Sequence, residues 1–276
     1  MTSTQPIGVA IVGPELAPSL TQFAERLPLQ YNDFASIALL QPEEPRVWVA
    51  LDSGSVVAAA IDDGLAMSVA GDTRGLAALA REIPDLDAKL VIAGRSGELG
   101  MFVQSLRSDR RVRREHFMSI AADELRCAPE AIPLRVAEES DLPMLIEARL
   151  AALEEEYGIA VPADGQLASE LRSAVTRAVQ VRGVAIWIEH GAVAFTAQLI
   201  AKTPEAAMFG DLYTDPALRG SGRATRALTA FCSWLLTESQ HVTLRVGHDN
   251  EPAVRLYQRT GFTVLDAFES SLRADA

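Results

Sequence analysis

The chain has 276 residues, of which 49% are apolar and 22% charged, and its formal net charge is −12. This length accommodates one large domain or two smaller ones with buried cores, and the apolar fraction argues against disorder. Residues 1–130 and the remainder each carry a charge of −6, so nonspecific binding to nucleic acid or to anionic lipid is not expected.

One basic cluster interrupts this acidic distribution near the middle of the chain. It would create a local patch of positive potential. We predict a solvated or ion-paired surface for it, and an anion-binding site is the alternative. Its members are Arg107, Arg110, Arg111, Arg113 and Arg114.

The two cysteines, Cys127 and Cys232, fall in different halves, and neither has a second cysteine or a histidine at a metal-ligand spacing. We therefore expect no metal site and no disulfide framework. The N-terminus lacks a charged segment followed by a long apolar run, and apolar stretches such as residues 56–61 are too short to cross a bilayer. These features predict a soluble, cytoplasmic protein without a membrane partner.

The first half of the chain alternates strand-like and helix-like patterns, which predicts a mixed α/β unit. Gly13-Pro14 ends the first expected strand. Strands are expected at residues 7–12, at two places within 46–60 joined by a turn at 52–55, at 90–93 and at 117–121; helices are expected at 16–27, 33–40, 73–83 and 97–106.

Residues 125–133 contain two prolines and no periodic pattern, which is typical of a linker. We therefore predict two domains, at residues 1–126 and 134–276, joined by residues 127–133.

After this linker a second series of strands and helices begins. Its first helix is expected to run from a cap at Ser140 or Asp141 to a stop at Gly158, because apolar residues recur between them at helical spacing. The other expected elements are strands at 134–137, 184–188, 192–200, 207–214 and 242–250, helices at 167–179, after 222 and after 250, and a last strand after 262.

A strand, a turn and a glycine pair precede a helix within residues 212–236. Gly220 and Gly222 allow close backbone approach to a ligand and positive φ angles. The first turn of a helix leaves N–H groups without intrahelical partners and carries positive potential, to which Arg219 and Arg223 add charge. This pattern predicts a diphosphate site, and a plain helix cap is the alternative.

A second group of residues follows the next expected strand. Asn250 is placed to cap a short helix that has Pro252 in its first turn and a glycine stop at Gly261.

At these two places the sequence resembles the GNAT superfamily of acyl-CoA-dependent N-acetyltransferases. The superfamily's phosphate-loop pattern is matched by Arg219, Gly222 and Ala224. The resemblance covers residues 133–270. The later signature is matched by Asn250, Ala253, Leu256-Tyr257 and Gly261-Phe262.

The N-terminal half starts with a similar strand, helix and hairpin series, and it resembles a second, degenerate GNAT-like domain, as in some tandem actinobacterial members of the superfamily. The expected fold class is therefore α/β (α+β), with two GNAT-like domains that each have a mixed, mostly antiparallel twisted sheet flanked by helices. The nearest glycine cluster of this half is Gly94 to Gly100, where Glu98 takes the place of a glycine. A carboxylate there would repel a diphosphate, so we expect this half not to bind CoA.

The resemblance implies a reaction, in which acetyl-CoA or a related acyl-CoA is the co-substrate and the acceptor is a primary amine of a small molecule. The amine attacks the thioester directly, and main-chain amides of the strand at 212–214 polarise the carbonyl. Tyr257 holds the family position of the acid that protonates the departing thiolate; core packing is its alternative role. The implied cofactor-binding residues are Leu212, Tyr213, Thr214, Arg219, Gly220, Ser221, Gly222, Arg223, Ala224 and Asn250, the last of which could instead be only a helix cap.

The base that deprotonates the acceptor is left open. Asp211 precedes the carbonyl site but could point to the opposite face of the strand. His248 with Asp249, or a water chain to Glu205, are the other candidates. The run Glu154 to Glu156 is interpreted as a solvated charge run, and otherwise it would select a cationic or polyamine-like acceptor.

Two other functions remain open within the same fold. One is an aminoacyltransferase that uses charged tRNA, with the arginine cluster as its docking site; the other is a non-catalytic acyl-CoA-binding regulatory module. Motifs of P-loop nucleotide hydrolases, zinc proteases and serine hydrolases are absent from the sequence. The sequence does not distinguish a monomer from a homodimer.

Overall fold

The computed structural model describes residues 7–40, 46–62, 66–104, 106–107, 109–126, 130–159, 161 and 165–273. Within these residues the chain forms twelve strands and eight α-helices. The strands are β1 (Gly8–Ile11), β2 (Arg46–Asp52), β3 (Ser55–Asp62), β4 (Ala66–Gly71), β5 (Val91–Arg95), β6 (Arg110–Ala121), β7 (Arg135–Val136), β8 (Val184–Glu189), β9 (Ala192–Lys202), β10 (Ala206–Tyr213), β11 (His241–Gly247) and β12 (Thr263–Arg273). The helices are α1 (Ala17–Ala24), α2 (Asn32–Leu40), α3 (Thr73–Glu82), α4 (Glu98–Val103), α5 (Leu142–Tyr157), α6 (Gln166–Gln180), α7 (Arg223–Leu235) and α8 (Glu251–Thr260).

The chain divides into two compact units, which we call unit 1 (residues 1–117 and 266–276) and unit 2 (residues 118–265). Each unit has a mixed, mostly antiparallel sheet with helices beside it. The predicted α/β fold class is confirmed. No helix among the described residues combines the length and the apolar character needed to cross a lipid bilayer.

Unit 1 has the strand order β1-β2-β3-β4-β5-β12. Its neighbouring strands are antiparallel except β4 and β5, which are parallel and are connected through α3. Side chains alternate along β2, so that Val47 and Val49 belong to the apolar cluster with α1 and α2, whereas Ala50 belongs to the one with α3 and α4. The sheet of unit 1 is therefore covered on both faces.

Unit 2 has the strand order β11-β10-β9-β8-β7, and the end of β6 lies next to β11. Again one pair, β10 with β11, is parallel and is connected by a helix, here α7. Phenylalanines dominate the core between the sheet and α7 and α8, and Phe209, Phe231 and Phe262 are each almost completely buried. On the other side α5 contacts β9, β10 and α6.

Two strands differ from the sequence prediction. β4 was not predicted, because its small residues show little apolar-polar alternation. β6 begins at Arg110, several residues before the predicted start at 117, because arginines at its exposed positions conceal the strand pattern. Most of the arginine cluster therefore lies on a strand.

The compact units divide the chain at positions other than the predicted boundaries of 1–126 and 134–276. β6 leaves unit 1 after Phe117, and β12 returns to unit 1 at Asp266. There, Phe268 to Leu272 pair with β5. Because this pairing joins residues more than 170 positions apart, no local sequence pattern indicates it. Residues 127–129 of the predicted linker, with Cys127, lie outside the described residues.

The connection between β4 and α3 is a single residue, Asp72, and it is closely packed. Gly71 has a φ angle of +127°, and a Cβ atom there would lie 2.4 Å from Val57 O and from Ala58 Cα. The Asp72 carboxylate accepts a hydrogen bond of 2.7 Å from the N–H of Gly75 and so caps α3. The start of this helix is thus filled by protein atoms.

This packing predicts that Gly71→Ala is strongly destabilising. Gly54→Ala is the matched control, since Gly54 also has a positive φ angle, +83°, but a Cβ atom there would have no neighbour within 4 Å. We expect the control to lower the free energy of unfolding by about 1 kcal/mol from backbone strain alone, and Gly71→Ala to lower it by about 1–3 kcal/mol more. Urea denaturation of both variants measures the difference, and equal losses would contradict the prediction.

Candidate active site

The two parallel strands of unit 2 part before they end. β10 pairs with β11 only from Ala206 to Met208, opposite His241 to Thr243. β10 nevertheless continues to Tyr213 and β11 to Gly247. The carboxyl ends of these strands therefore diverge and leave a cleft, the place where ligands bind in sheets with parallel strands.

A bulge interrupts the pairing of β10 with β9 near the end of β10. β9 pairs with Gly210 and with Tyr213, but the two residues between them lie outside its register. Asp211 has a φ angle of +53°, and its carboxylate pairs with Arg149 of α5 at 2.9 Å. Leu212 packs against the core shared with α7 and α8. Asp211 and Leu212 therefore point to opposite faces of the sheet, which is the alternative that the sequence left open for Asp211.

The loop after β10 presents main-chain N–H groups to open space. Gly220 and Gly222 have φ angles of +75° and +80°, and a Cβ atom on either would have no neighbour within 4 Å. The N–H groups of residues 220–224 donate no hydrogen bond to any described residue. They stand at the start of the 13-residue helix α7, so the helix dipole adds positive potential at the same place. Such a series of free donors forms an anion-binding loop.

The two arginines of this loop are already paired with carboxylates. Arg219 donates to both oxygens of Glu155 at 2.5 and 2.7 Å, and Arg223 to both oxygens of Glu189 at 2.5 and 2.7 Å. The hydrogen bonds from Arg219 lower the pKa of Glu155. The charge of each arginine is therefore compensated, and the uncompensated donors of the loop belong to the main chain.

Other contacts hold the loop in shape. Arg219 Nε donates to Thr214 O at 2.9 Å, and its guanidinium lies over the Tyr213 ring at 5.7 Å. Ser221 Oγ donates to Leu218 O at 2.7 Å and accepts from Arg223 Nη1 at 2.5 Å. These bonds fix the loop before a ligand arrives, which lowers the entropic cost of binding.

Tyr257 lies on α8, in the core against which Leu212 packs. It is 6% exposed, and its ring meets Phe209 and Phe262 edge-on, with centroids 6.2 and 5.8 Å away. Burial raises the pKa of Tyr257, and the charge of Glu156 raises it further. The phenol therefore stays neutral and can act as a hydrogen-bond donor at physiological pH.

The remaining predicted residues have varied surroundings. Asn250 Oδ1 accepts from the N–H of Ala253 at 3.2 Å, so Asn250 caps α8. His248 and Asp249 are exposed beyond the end of β11. Glu205 precedes β10, so it lies at the end opposite to the cleft, about 25 Å along the strand. A water chain to Glu205 would therefore have to span most of the length of β10.

Three residues of the site escaped sequence reasoning: Arg149, Glu155 as the partner of Arg219, and Glu189. Glu155 belongs to the run Glu154 to Glu156, which carries no local signal for a partner 64 positions away. Glu189 ends β8, and only the hairpin of β8 and β9 brings it to the start of α7.

Unit 1 has the same element order but lacks the loop. The connection that corresponds to residues 214–222 is Asp72 alone, because in each unit it lies between the first parallel strand and the following helix. The glycine cluster at 94–100 instead follows the second parallel strand, as Asn250 does in unit 2. Glu98 accepts from Tyr31 at 2.8 Å and pairs with Arg95 at 3.0 Å. Unit 1 lacks such a loop because Asp72 alone connects β4 to α3, and not because Glu98 takes the place of a glycine.

Among the described residues, no group of three or more histidine, cysteine, aspartate or glutamate side chains is arranged to hold a metal ion.

Comparison with known proteins relates this fold to acetyltransferases. An acetyltransferase from the GNAT family of Colwellia psychrerythraea is 12% identical, with a TM-score of 0.55, and the match covers 96% of this chain and 99% of that one. A tandem GNAT protein from the clavulanic acid biosynthesis pathway is 16% identical, with a TM-score of 0.57 and coverage of 98% and 99%. A GCN5-related N-acetyltransferase from Sphaerobacter thermophilus is 18% identical, with a TM-score of 0.58 and coverage of 96% and 94%.

At these identities the likeness concerns the fold. A search of curated proteins finds no match. The family model of the acetyltransferase (GNAT) family matches residues 151–262, which include the cleft, the phosphate loop and Tyr257. Residues 151–262 thus match the acetyltransferase (GNAT) family model, and the likeness of the chain to the solved structures is one of fold.

Proposed function

We propose that unit 2 is an N-acetyltransferase that transfers the acetyl group of acetyl-CoA, or the acyl group of a related acyl-CoA, to a primary amine of a small molecule. The observation that carries this proposal is the series of five main-chain N–H groups at residues 220–224, which have no partner among the described residues. Leu212 to Thr214 lead directly into this loop from the cleft. A thioester in the cleft and a diphosphate at the loop fit this order.

The charge balance supports a diphosphate at the loop. The chain as a whole is acidic, so an anion binds only where local donors outweigh the general repulsion. Free amides at a helix start provide such donors, and Gly220 and Gly222 keep side chains out of the way. Because Arg219 and Arg223 are paired with carboxylates, we assign to them mainly the shaping of the loop.

The cleft supplies the groups that direct acyl transfer needs. Main-chain amides of β10 between Gly210 and Tyr213 lie outside the register of β9, and we assign to them the polarisation of the thioester carbonyl. The amine nitrogen bonds to the carbonyl carbon, the C–S bond breaks with its electron pair on sulfur, and the proton released from nitrogen passes to solvent.

Tyr257 is assigned to the departing sulfur. A thiol has a pKa of about 8.5, whereas burial raises the pKa of Tyr257 above its ordinary value of 10.0. Complete proton transfer from this phenol to a thiolate is therefore uphill. A hydrogen bond from the phenol can still stabilise the developing negative charge, and solvent then protonates the sulfur.

Arg110, one member of the arginine cluster, is engaged within unit 1 and offers little to a tRNA-dependent reaction. Arg110 donates to Ser271 Oγ at 2.9 Å and to the carbonyl oxygens of Lys89, Leu90 and Ser271. Its charge therefore serves the packing of β12 within unit 1. Activity that is sensitive to ribonuclease would nevertheless favour the tRNA-dependent alternative over acyl-CoA chemistry.

Two measurements test the proposal. Titration calorimetry with CoA and acetyl-CoA measures binding, and a thiol-release assay with acetyl-CoA and a panel of amines measures turnover. Binding with amine-dependent thiol release is the expected result. Binding without turnover would indicate a non-catalytic acyl-CoA module, and the absence of heat from a natively folded chain would overturn the proposal.

Gly222→Glu is expected to weaken CoA binding by about 100-fold, because a carboxylate about 5 Å from a phosphate costs about 3 kcal/mol at an effective dielectric constant of about 20. Gly54→Glu is the matched control, since Gly54 has nearly the same φ angle, +83° against +80°, and equally open surroundings. Calorimetry of both variants is the measurement. If Gly54→Glu loses as much affinity for CoA as Gly222→Glu, the loss comes from backbone strain or net charge and not from a carboxylate next to the phosphate.

Tyr257→Phe is expected to lower kcat by about 100-fold while leaving the Kd for acetyl-CoA within about twofold, because the substitution removes the hydrogen bond to the departing sulfur. The phenyl ring retains the contacts with Phe209 and Phe262. Steady-state kinetics and calorimetry together separate the two quantities. Equal losses in kcat and in affinity would contradict the assigned role.

Cys232 is not expected to react with the thiol reagent of a thiol-release assay. It is completely buried on α7, and burial raises the pKa of its thiol, so little reactive thiolate forms. A disulfide reagent should therefore label no more than one of the two cysteines in the native chain and both in denaturant. Cys232→Ser should leave native labelling unchanged; a decrease would show that Cys232 is accessible.

A further inference from the structure

A small cavity lies between the sheet of unit 2 and the helices α5 and α6. Its volume is about 30 Å³, roughly the space of one water molecule. Five polar side chains line it, together with aliphatic side chains such as Leu145 and Val175. The polar ones are Arg149, Thr196, Gln198, Asp211 and Tyr213.

The ion pair of Arg149 and Asp211 crosses this cavity. The distance between Nη1 and Oδ1 is 2.9 Å, and the side chains are 27% and 30% exposed. Both charges are thus largely removed from water, although each keeps a route to it. The space between a helix and a sheet is normally filled by apolar side chains. A charged pair there contributes little to stability, so we look for a functional role.

Asp211 connects the cavity with the cleft. It belongs to the bulge that also contains Leu212, and its backbone has the uncommon positive φ angle of +53°. This conformation directs the carboxylate towards Arg149 of α5. A positively charged amine held by Asp211 therefore lies beside the stretch of β10 that carries the amides assigned to the thioester, those of residues 211 and 212.

The ion pair discriminates between classes of amine. A simple ammonium ion that takes Asp211 as its partner leaves the half-buried guanidinium of Arg149 without a counter-charge, which is costly. An acceptor that carries a carboxylate close to its amine compensates both charges at once. The amine meets Asp211, and the carboxylate meets Arg149 in the geometry that guanidinium favours.

We propose that the acceptor is zwitterionic, with an amine and a carboxylate on the same or on adjacent carbons, as in an α-amino acid, and that Arg149 and Asp211 separate to receive it. This inference rests on the proposed acyl transfer and specifies its acceptor. The ammonium group first loses one proton to solvent; the neutral nitrogen then bonds to the acyl carbon while the C–S bond breaks with its electron pair on sulfur. The nitrogen loses a second proton to solvent, and the thiolate takes one up from solvent.

The structure argues against the polyamine-like acceptor that the run Glu154 to Glu156 suggested. Both oxygens of Glu155 are engaged by Arg219 at the phosphate loop. The charge of Glu156 acts on Tyr257. The carboxylate that lines the cavity is Asp211 instead, and it comes with a positive partner.

The test compares matched acceptors in the thiol-release assay with acetyl-CoA. The twenty common amino acids are each measured beside the amine that lacks the carboxylate, such as leucine beside 3-methylbutylamine, and cadaverine represents diamines. We expect kcat/KM for the best amino acid to exceed that of its matched amine by at least about tenfold, which corresponds to about 1.4 kcal/mol.

Variants identify the residue responsible. Arg149→Gln should reduce the preference for the amino acid over its matched amine by at least about tenfold. Arg177→Gln, which removes an exposed arginine of α6 outside the cavity, should keep the preference. If Arg149→Gln does not fold, the comparison of acceptors on the unmodified chain still decides.

The outcomes separate this inference from the proposed function. Turnover of simple amines or cadaverine in preference to amino acids overturns the zwitterionic acceptor and leaves acyl transfer standing. A preference for amino acids that survives in Arg149→Gln also overturns the inference. CoA binding without thiol release from any acceptor overturns acyl transfer, and the inference falls with it.

Discussion

The separation of two parallel strands is the feature on which the rest of unit 2 depends. Three residue pairs hold β10 and β11 together, and beyond Met208 the strands diverge. Main-chain groups near the strand ends are thereby released from the sheet, and the chain needs residues 214–222 to reach the start of α7. The cleft and the phosphate loop are thus two consequences of one early end of strand pairing.

Unit 1 shows what the same series of elements becomes without this separation. β4 pairs with β5 up to Val69, only two residues before it ends, and a single residue then leads to α3. A Cβ atom on Gly71 or Gly75 would collide with Ala58, whereas one on Gly220 or Gly222 would meet nothing. Gly71 and Gly75 thus serve close packing, whereas Gly220 and Gly222 leave open space before and at the start of α7. Glycine content alone therefore does not identify the site.

Charge in unit 2 is organised in pairs. Arg219 and Arg223 at the loop, and Arg149 near the cleft, each contact a carboxylate. Isolated charges would be costly in partly buried places, and pairing offsets part of that cost. The main-chain N–H groups of residues 220–224, in contrast, have no hydrogen-bond partner among the described residues. The positive potential at this loop thus comes chiefly from main-chain dipoles, in a chain whose net charge is strongly negative.

Local patterns in the sequence were sufficient for the fold class and for the position of the loop. Helical periodicity predicted α5 and α7, and the order of Arg219, Gly222, Ala224 and Asn250 indicated an acetyltransferase-like unit, because helix caps and phosphate loops depend on residues close together in the chain. Other features join residues that are far apart in the sequence. They are the pairing of β12 with β5 and the ion pairs of Arg149, Arg219 and Arg223, whose partners lie between 34 and about 180 positions away. Only tertiary structure decided these, because a side chain's partner across a sheet or between helices depends on register and packing, which leave no trace at short range.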